Sequence, residues 1–123
     1  MKNNIGCWFE IYVADMDRAK AFYQGVFGGT LQDLQMPEME MWGFPSDQGS
    51  YGACGTLVKM EGVEPGGNST IVYFACDDCA VEQGKVEEMG GRVFREKFPI
   101  GEHGFIALVT DTEGNMIGLH SMQ

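Results

Sequence analysis

Two side chains in this 123-residue chain could carry acid–base chemistry from predicted strands, namely Glu10 and His120. A carboxylate and an imidazole that face each other can serve as general base and general acid if they lie within hydrogen-bond reach. Trp8 would add a flat surface on which an aromatic ligand stacks. His103, in a glycine-flanked loop, is a further candidate as part of a lid. Their chemistry depends on whether the fold brings them to one site.

The stretch Cys7–Gly28 predicts a strand, a turn and a helix. Residues alternate between apolar Phe9, Ile11 and Val13 and the set Trp8, Glu10 and Tyr12. A period of two is typical of a strand with two different faces. Asp15 or Asp17 can cap the helix that follows, and Gly28-Gly29 can end it.

The same pattern returns 63 residues later, at Ile71–Gly91. The chain therefore reads as one domain of two βαβββ modules, at residues 5–60 and 70–122, joined by a linker at 61–69. The remaining predicted strands are Thr30–Met36, Met39–Phe44, Ala53–Met60, Ile71–Asp77, Gly91–Phe98, Phe105–Asp111 and Asn115–Ser121; Cys79–Gly90 is the second helix and Pro45–Ser50 a loop. This order predicts an α+β fold with paired curved, mainly antiparallel sheets, because a doubly wound parallel sheet needs a helix after nearly every strand.

In each module the helix must cover the more apolar strand face, which leaves the other face for a cleft between the sheets. The residues predicted to line this cleft, besides Glu10 and His120, are Trp8, Tyr12, Gly55, Leu57, Ile71, Tyr73, Met116 and Gly118. Two plainer interpretations stay open. Glu10 can be a solvated strand residue at the cleft mouth, and His120 lies near a chain end, where fraying is common.

Composition excludes several classes of function. A net charge of −10 with eight Lys and Arg builds no basic surface for nucleic acid and disfavours anionic membranes. No run approaches the ~20 apolar residues of a membrane span, and the first residues lack the apolar run of a signal peptide. We therefore expect a cytoplasmic protein. Its four cysteines are then reduced, and the Cys76–Cys79 pair reads as small core residues.

Three stretches resemble the vicinal oxygen chelate superfamily, also called glyoxalase/bleomycin-resistance/dioxygenase proteins. They are Phe9–Asp15 with Arg18–Tyr23 and Val26–Gly28; Val72–Asp78 with Glu88–Val93; and Asp111–Leu119, which is similar to the family ending D-P-x-G-N-x-x-x-L with Thr112 in place of proline. The resemblance covers nearly the whole chain. It implies the paired βαβββ fold and, since members often form dimers, a homodimer.

The resemblance also implies where a metal would bind. In the family's metalloenzymes four cleft positions carry His, Glu or Gln, and here those positions hold Trp8, Gly55, Ile71 and Gly118, none of which can bind a metal. Shifting the register by one residue offers Cys54, Thr56 and Thr70 instead. The sequence therefore predicts no metal and no other cofactor.

Three functions remain open. The first is a metal-free, glyoxalase-like protein that binds an unidentified small molecule in the cleft. The second is a lyase or isomerase, or a dioxygenase, of the superfamily, related to lactoylglutathione lyase, in which Glu10 and His120 transfer a proton. The third is an accessory module without a ligand.

Overall fold

The computed structural model describes residues 1–47 and 49–123, so the part of the predicted Pro45–Ser50 loop at Gln48 lies outside it. Its elements are β1 (Trp8–Tyr12), α1 (Met16–Phe27), β2 (Gln32–Asp33), β3 (Glu40–Gly43), β4 (Cys54–Lys59), β5 (Tyr73–Ala75), α2 (Cys79–Val86), β6 (Arg92–Pro99), β7 (Phe105–Thr110) and β8 (Met116–Ser121), with a 3₁₀ turn at Gly101–His103. The α+β fold class and the βαβββ–βαβββ order are confirmed.

The strands form two four-stranded sheets of the same design, ordered β1-β4-β3-β2 and β5-β8-β7-β6. In each sheet the first strand pairs in parallel with the last, and the other neighbours are antiparallel. Both sheets are therefore mixed but mainly antiparallel. No helix within the described ranges is both long and apolar enough to cross a bilayer.

Helix α1 begins and ends where its sequence predicts. The Asp15 carboxylate accepts a hydrogen bond from the Arg18 backbone N–H at 3.0 Å, as expected of an N-cap. After Phe27 the backbone turns at Gly28, whose φ of 77° is costly for residues with a Cβ. Between these ends Met16, Ala19, Phe22, Tyr23 and Val26 are buried, at the spacing of one helix face.

Several predicted elements are shorter in the structure. Helix α2 ends at Val86 and not at Gly90, because the chain must turn before Gly91. A Cβ on Gly91 would lie 2.5 Å from the Thr110 carbonyl oxygen and from the Phe22 ring, so the chain passes here in close backbone contact. Strands β2 and β5 are limited to two and three residues.

One hydrophobic core holds both modules together. Its buried members come from both helices and both sheets, and they include Phe22, Leu57, Val86 and Leu119. Phe74 is partly buried and lies at the centre of an aromatic cluster, with ring centroids 4.6 Å from Phe27, 5.6 Å from Phe44, 5.9 Å from Tyr23 and 6.0 Å from Phe9. Residues of module one thus pack directly on a strand of module two.

Polar contacts also join the modules, through the turn between β7 and β8. Glu113 accepts hydrogen bonds from the backbone N–H groups of Ala14 and Asp15, each 2.9 Å, and pairs with Arg18 through two guanidinium nitrogens at 2.7 and 2.9 Å. Asp111 accepts the hydroxyl of Tyr23 at 2.6 Å. The second module thereby caps the N-terminus of the first module's helix.

Candidate functional site

Strand β1 directs Trp8, Glu10 and Tyr12 to the face opposite the core, where they line a cleft of about 530 Å³. Ile11 is 6% exposed and packs in the core, whereas Trp8 is 50% exposed. The opposite wall is the linker segment Glu64–Thr70, and Met116 and its neighbours close the cleft from module two. The cleft therefore lies at the junction of the modules.

Glu10 is the charged group in the centre of this set. Its Oε1 accepts the Tyr12 hydroxyl at 2.8 Å, and its Oε2 lies 3.4 Å from the donor Nε1 of Trp8. The hydrogen bond to Glu10, followed by burial, raises the pKa of Tyr12, so the phenol remains a proton donor at neutral pH. Each carboxylate oxygen can accept a further hydrogen bond, because it has two lone pairs.

The linker wall is fixed by two asparagines. Asn115 accepts the Gly66 backbone N–H at 2.7 Å through Oδ1 and donates from Nδ2 to the Tyr12 carbonyl oxygen at 2.8 Å. Asn68 exchanges hydrogen bonds with the backbone of Met116, at 3.0 and 3.2 Å. The linker is thus anchored to β8 and forms a defined wall. The sequence indicated a turn here but not its part in the cleft.

The structure contradicts the prediction that Gly55 and Leu57 face the cleft. Leu57 is fully buried in the core, and a Cβ on Gly55 would meet the Phe9 ring on the core side. In the parallel pair β1–β4, Glu10 lies opposite Thr56. In the parallel pair β5–β8, Tyr73, which is the equivalent of Glu10 in module two, lies opposite Gly118. The first strands are therefore related by a shift of 63 residues, but the last strands by 62. That difference of one places Cys54, Thr56 and Val58 on the same sheet face as Trp8, Glu10 and Tyr12, and leaves Gly55 and Leu57 on the core face.

The other predicted cleft residues lie in three different environments. Tyr73 and Gly118 share a face as predicted, but the Tyr73 ring occupies the space beside Gly118 and lines a second cavity, described below. Ile71 precedes β5 and is partly buried; its neighbour Val72 lines the cleft. Met116 lines the cleft with the β1 residues.

His120 does not pair with Glu10. It lies on the same sheet face as Gly118, but its Nε2 contacts the carbonyl oxygen of His103 at 2.7 Å. Glu10 has Tyr12 and Trp8 as its partners, and the cleft lining within the described residues contains Glu10 but not His120. The acid–base pair expected from the sequence is thus not assembled.

The residues at the family's metal positions do not fit a metal. Gly55 faces the core, and the residue beside Glu10 on β4 is Thr56, which is not among the Cys, His, Asp and Glu ligands that zinc takes. Across residues 1–47 and 49–123, no three His, Cys, Asp or Glu side chains are grouped so that they could hold a metal ion. Thr56 is fully buried and its Oγ1 has no hydrogen-bond partner among the described atoms.

Sequence comparison identifies the protein class to which these paired βαβββ modules and their cleft belong. The model of the Glyoxalase/Bleomycin resistance protein/Dioxygenase superfamily matches residues 7–119. The chain belongs to that family.

Curated relatives and solved structures agree with this assignment. The protein named "Putative glyoxylase CFP32" in Mycobacterium tuberculosis, and its namesake in Mycobacterium bovis, are 30% identical over 115 residues. The match covers 91% of this chain but 43% of each relative, so the chain spans less than half of their length.

Among solved structures, glyoxalase I from Zea mays superposes with a TM-score of 0.72 at 21% identity, over 94% of this chain and 45% of that one. A glyoxalase/bleomycin resistance protein/dioxygenase family enzyme from Burkholderia phytofirmans gives 0.69 at 19% identity, over 94% and 97%. At these identities the likeness concerns the fold.

Proposed function

We propose that this protein binds a small molecule in the cleft at the module junction, without a metal. The ligand has a flat apolar part and a group that donates hydrogen bonds or carries positive charge. The observation that carries the proposal is the Glu10 carboxylate, held between Tyr12 and Trp8 on the cleft wall.

Each part of the ligand matches a side chain of the cleft. Trp8 is half exposed, so its ring offers a stacking surface. Glu10 keeps free lone pairs for a donor, and its hydrogen bonds fix its position before the ligand arrives. Met116 on the other side is flexible enough to adjust to ligands of different shape.

Fluorescence of Trp8 provides the test. The chain has two tryptophans, and Trp42→Phe leaves Trp8 as the only reporter. In that background we expect a panel of flat amines and amides to yield compounds that quench saturably. Glu10→Gln should weaken their binding at least tenfold, whereas Glu88→Gln, the same charge change at an exposed site, should alter it less than twofold.

Two controls address the metal. Binding should be unchanged after dialysis against a chelator, because no step of recognition uses an ion. Metal analysis of the purified protein provides the second. Stoichiometric Ni, Zn, Mn or Fe would overturn the proposal, as would a broad panel without any compound that quenches Trp8.

The name of the mycobacterial relatives favours an alternative, which is catalysis by a glyoxalase-related lyase or isomerase. In this reading Glu10 is the base in the cleft. His120 would have to leave the His103 carbonyl to act with it. Turnover of the hemithioacetal of methylglyoxal and glutathione, lost in Glu10→Gln but not in Glu88→Gln, would support the enzyme.

A further inference from the structure

A second cavity, of about 390 Å³, lies on the other side of β1, between the C-terminal end of α1, the free edge of β5 and helix α2. Its lining includes the rings of Phe9, Phe27, Phe44, Tyr51, Tyr73 and Phe74, beside the glycine-containing turn that follows α1. None of the residues that form the first cleft, apart from Phe9, contributes to it. The two cavities are therefore distinct sites.

Glu82 is the charged side chain in this aromatic wall. Its Oε1 is buried and has no hydrogen-bond partner in the described part of the chain. A buried carboxylate oxygen without a partner is destabilising, and structures normally satisfy such groups. No Lys, Arg or His side chain among the described residues forms an ion pair with Glu82.

The neighbouring Cys76 leaves the negative charge of Glu82 uncompensated. Burial, the negative charge of the nearby Glu82 carboxylate and a hydrogen bond from the thiol to that carboxylate raise the pKa of the Cys76 thiol to about 12. The thiol is therefore neutral at physiological pH and brings no charge to the site. The cavity thus combines aromatic faces with a carboxylate whose charge no cationic side chain among the described residues balances.

We propose that this cavity binds a small organic cation, an ammonium group that carries an apolar substituent. The ammonium group donates to Glu82 Oε1 and the substituent packs against Phe27, Phe44 and Phe74. Aromatic faces attract cations through their negative quadrupole, most strongly where water is excluded. Tyr51 also lines the cavity and is 95% exposed.

The test compares two probes of the same shape, 3-phenylpropylamine and 3-phenylpropan-1-ol, followed at pH 7 by backbone amide NMR shifts. We expect the amine to bind saturably and to shift the amides around Phe74 and Glu82. Glu82→Gln should weaken the amine at least tenfold and leave the alcohol within twofold, so the preference for the amine disappears.

Two matched variants separate this site from other causes. Glu88→Gln removes one exposed carboxylate near the end of the same helix, and Glu10→Gln removes that of the first cleft. Neither should change more than twofold the amine affinity that the amides around Phe74 and Glu82 report. The proposal is overturned if Glu82→Gln leaves the amine affinity at this site intact, if the shifts map only to the Trp8 cleft, or if the amine does not bind. Unchanged amide spectra of unligated Glu82→Gln establish that the variant is folded.

Discussion

Replacing Glu113 with glutamine measures how strongly the second module holds the first. The Glu113 side chain is fully buried, and its carboxylate takes hydrogen bonds from the backbone of Ala14 and Asp15, from the Arg18 guanidinium and from the Thr112 hydroxyl. Burial opposes ionisation, but these partners outweigh it and lower the pKa of Glu113 from 4.5 to about 2. The ionised form is thus stabilised by the fold.

The size of the effect follows from that pKa. At 1.36 kcal/mol per pKa unit the depression is worth ~3 kcal/mol at neutral pH. Since Arg18 is 52% exposed, water screens part of its attraction, and we expect Glu113→Gln to lose ~2 kcal/mol. For a chain of this length that loss lowers Tm by roughly 10 °C.

The pH dependence gives a sharper assay. A carboxyl group whose pKa is lowered by folding stabilises the fold at pH values above its pKa in the unfolded chain. This contribution is lost as the pH falls through its pKa in the folded protein. The difference in unfolding free energy between wild type and Glu113→Gln should therefore shrink between pH ~5 and pH ~2. Urea titrations at several pH values measure it, with Glu88→Gln as the exposed control. A difference below ~0.5 kcal/mol at pH 7, or one that does not change with pH, would refute the reasoning.

Three further outcomes follow from single positions. In urea titrations Thr56→Val should raise the free energy of unfolding by ~1 kcal/mol, because it removes a buried hydroxyl for which the described residues provide no partner. By the same assay Gly91→Ala should lose at least ~2 kcal/mol, since its Cβ meets backbone, whereas Gly84→Ala in α2 has open space and should gain ~0.5–1 kcal/mol. Iodoacetamide at pH 8, read by peptide mass spectrometry, should alkylate exposed Cys7 and spare Cys76, whose pKa is about 12.

The sequence predicted the face of β1 because strand alternation is a local property. Ile11 and Val13 needed only their two-residue period to be assigned to the core, where they are 6% and 1% exposed. The prediction of which β4 residues face the cleft depended instead on the 63-residue shift between the two modules. The interval from Glu10 to Thr56 is one residue longer than the interval from Tyr73 to Gly118. The face of β4 that packs on the core is therefore the opposite of the predicted one.

The contacts that hold the modules together were beyond sequence reasoning for a different reason. Asp111, Glu113 and Asn115 belong to the turn whose resemblance to the family was recognised, but their partners lie 88 to 103 residues away. Local propensity contains no information about such pairs. The aromatic cavity was missed likewise, because its rings come from both modules and alternate with core residues that look the same in sequence.

Under our two proposals, the cavities on either side of β1 bind ligands of different chemistry. Strand β1 separates them, since Trp8, Glu10 and Tyr12 face one cavity while the Phe9 ring packs against the aromatic cluster of the other. Each cavity places a carboxylate among aromatic rings, but Glu10 is already held by two donors, whereas no donor among residues 1–47 and 49–123 reaches Glu82 Oε1. The proposals therefore require only a neutral donor at the first site but a cation at the second. The position of each carboxylate, more than the shared fold, determines what each side of the strand can bind.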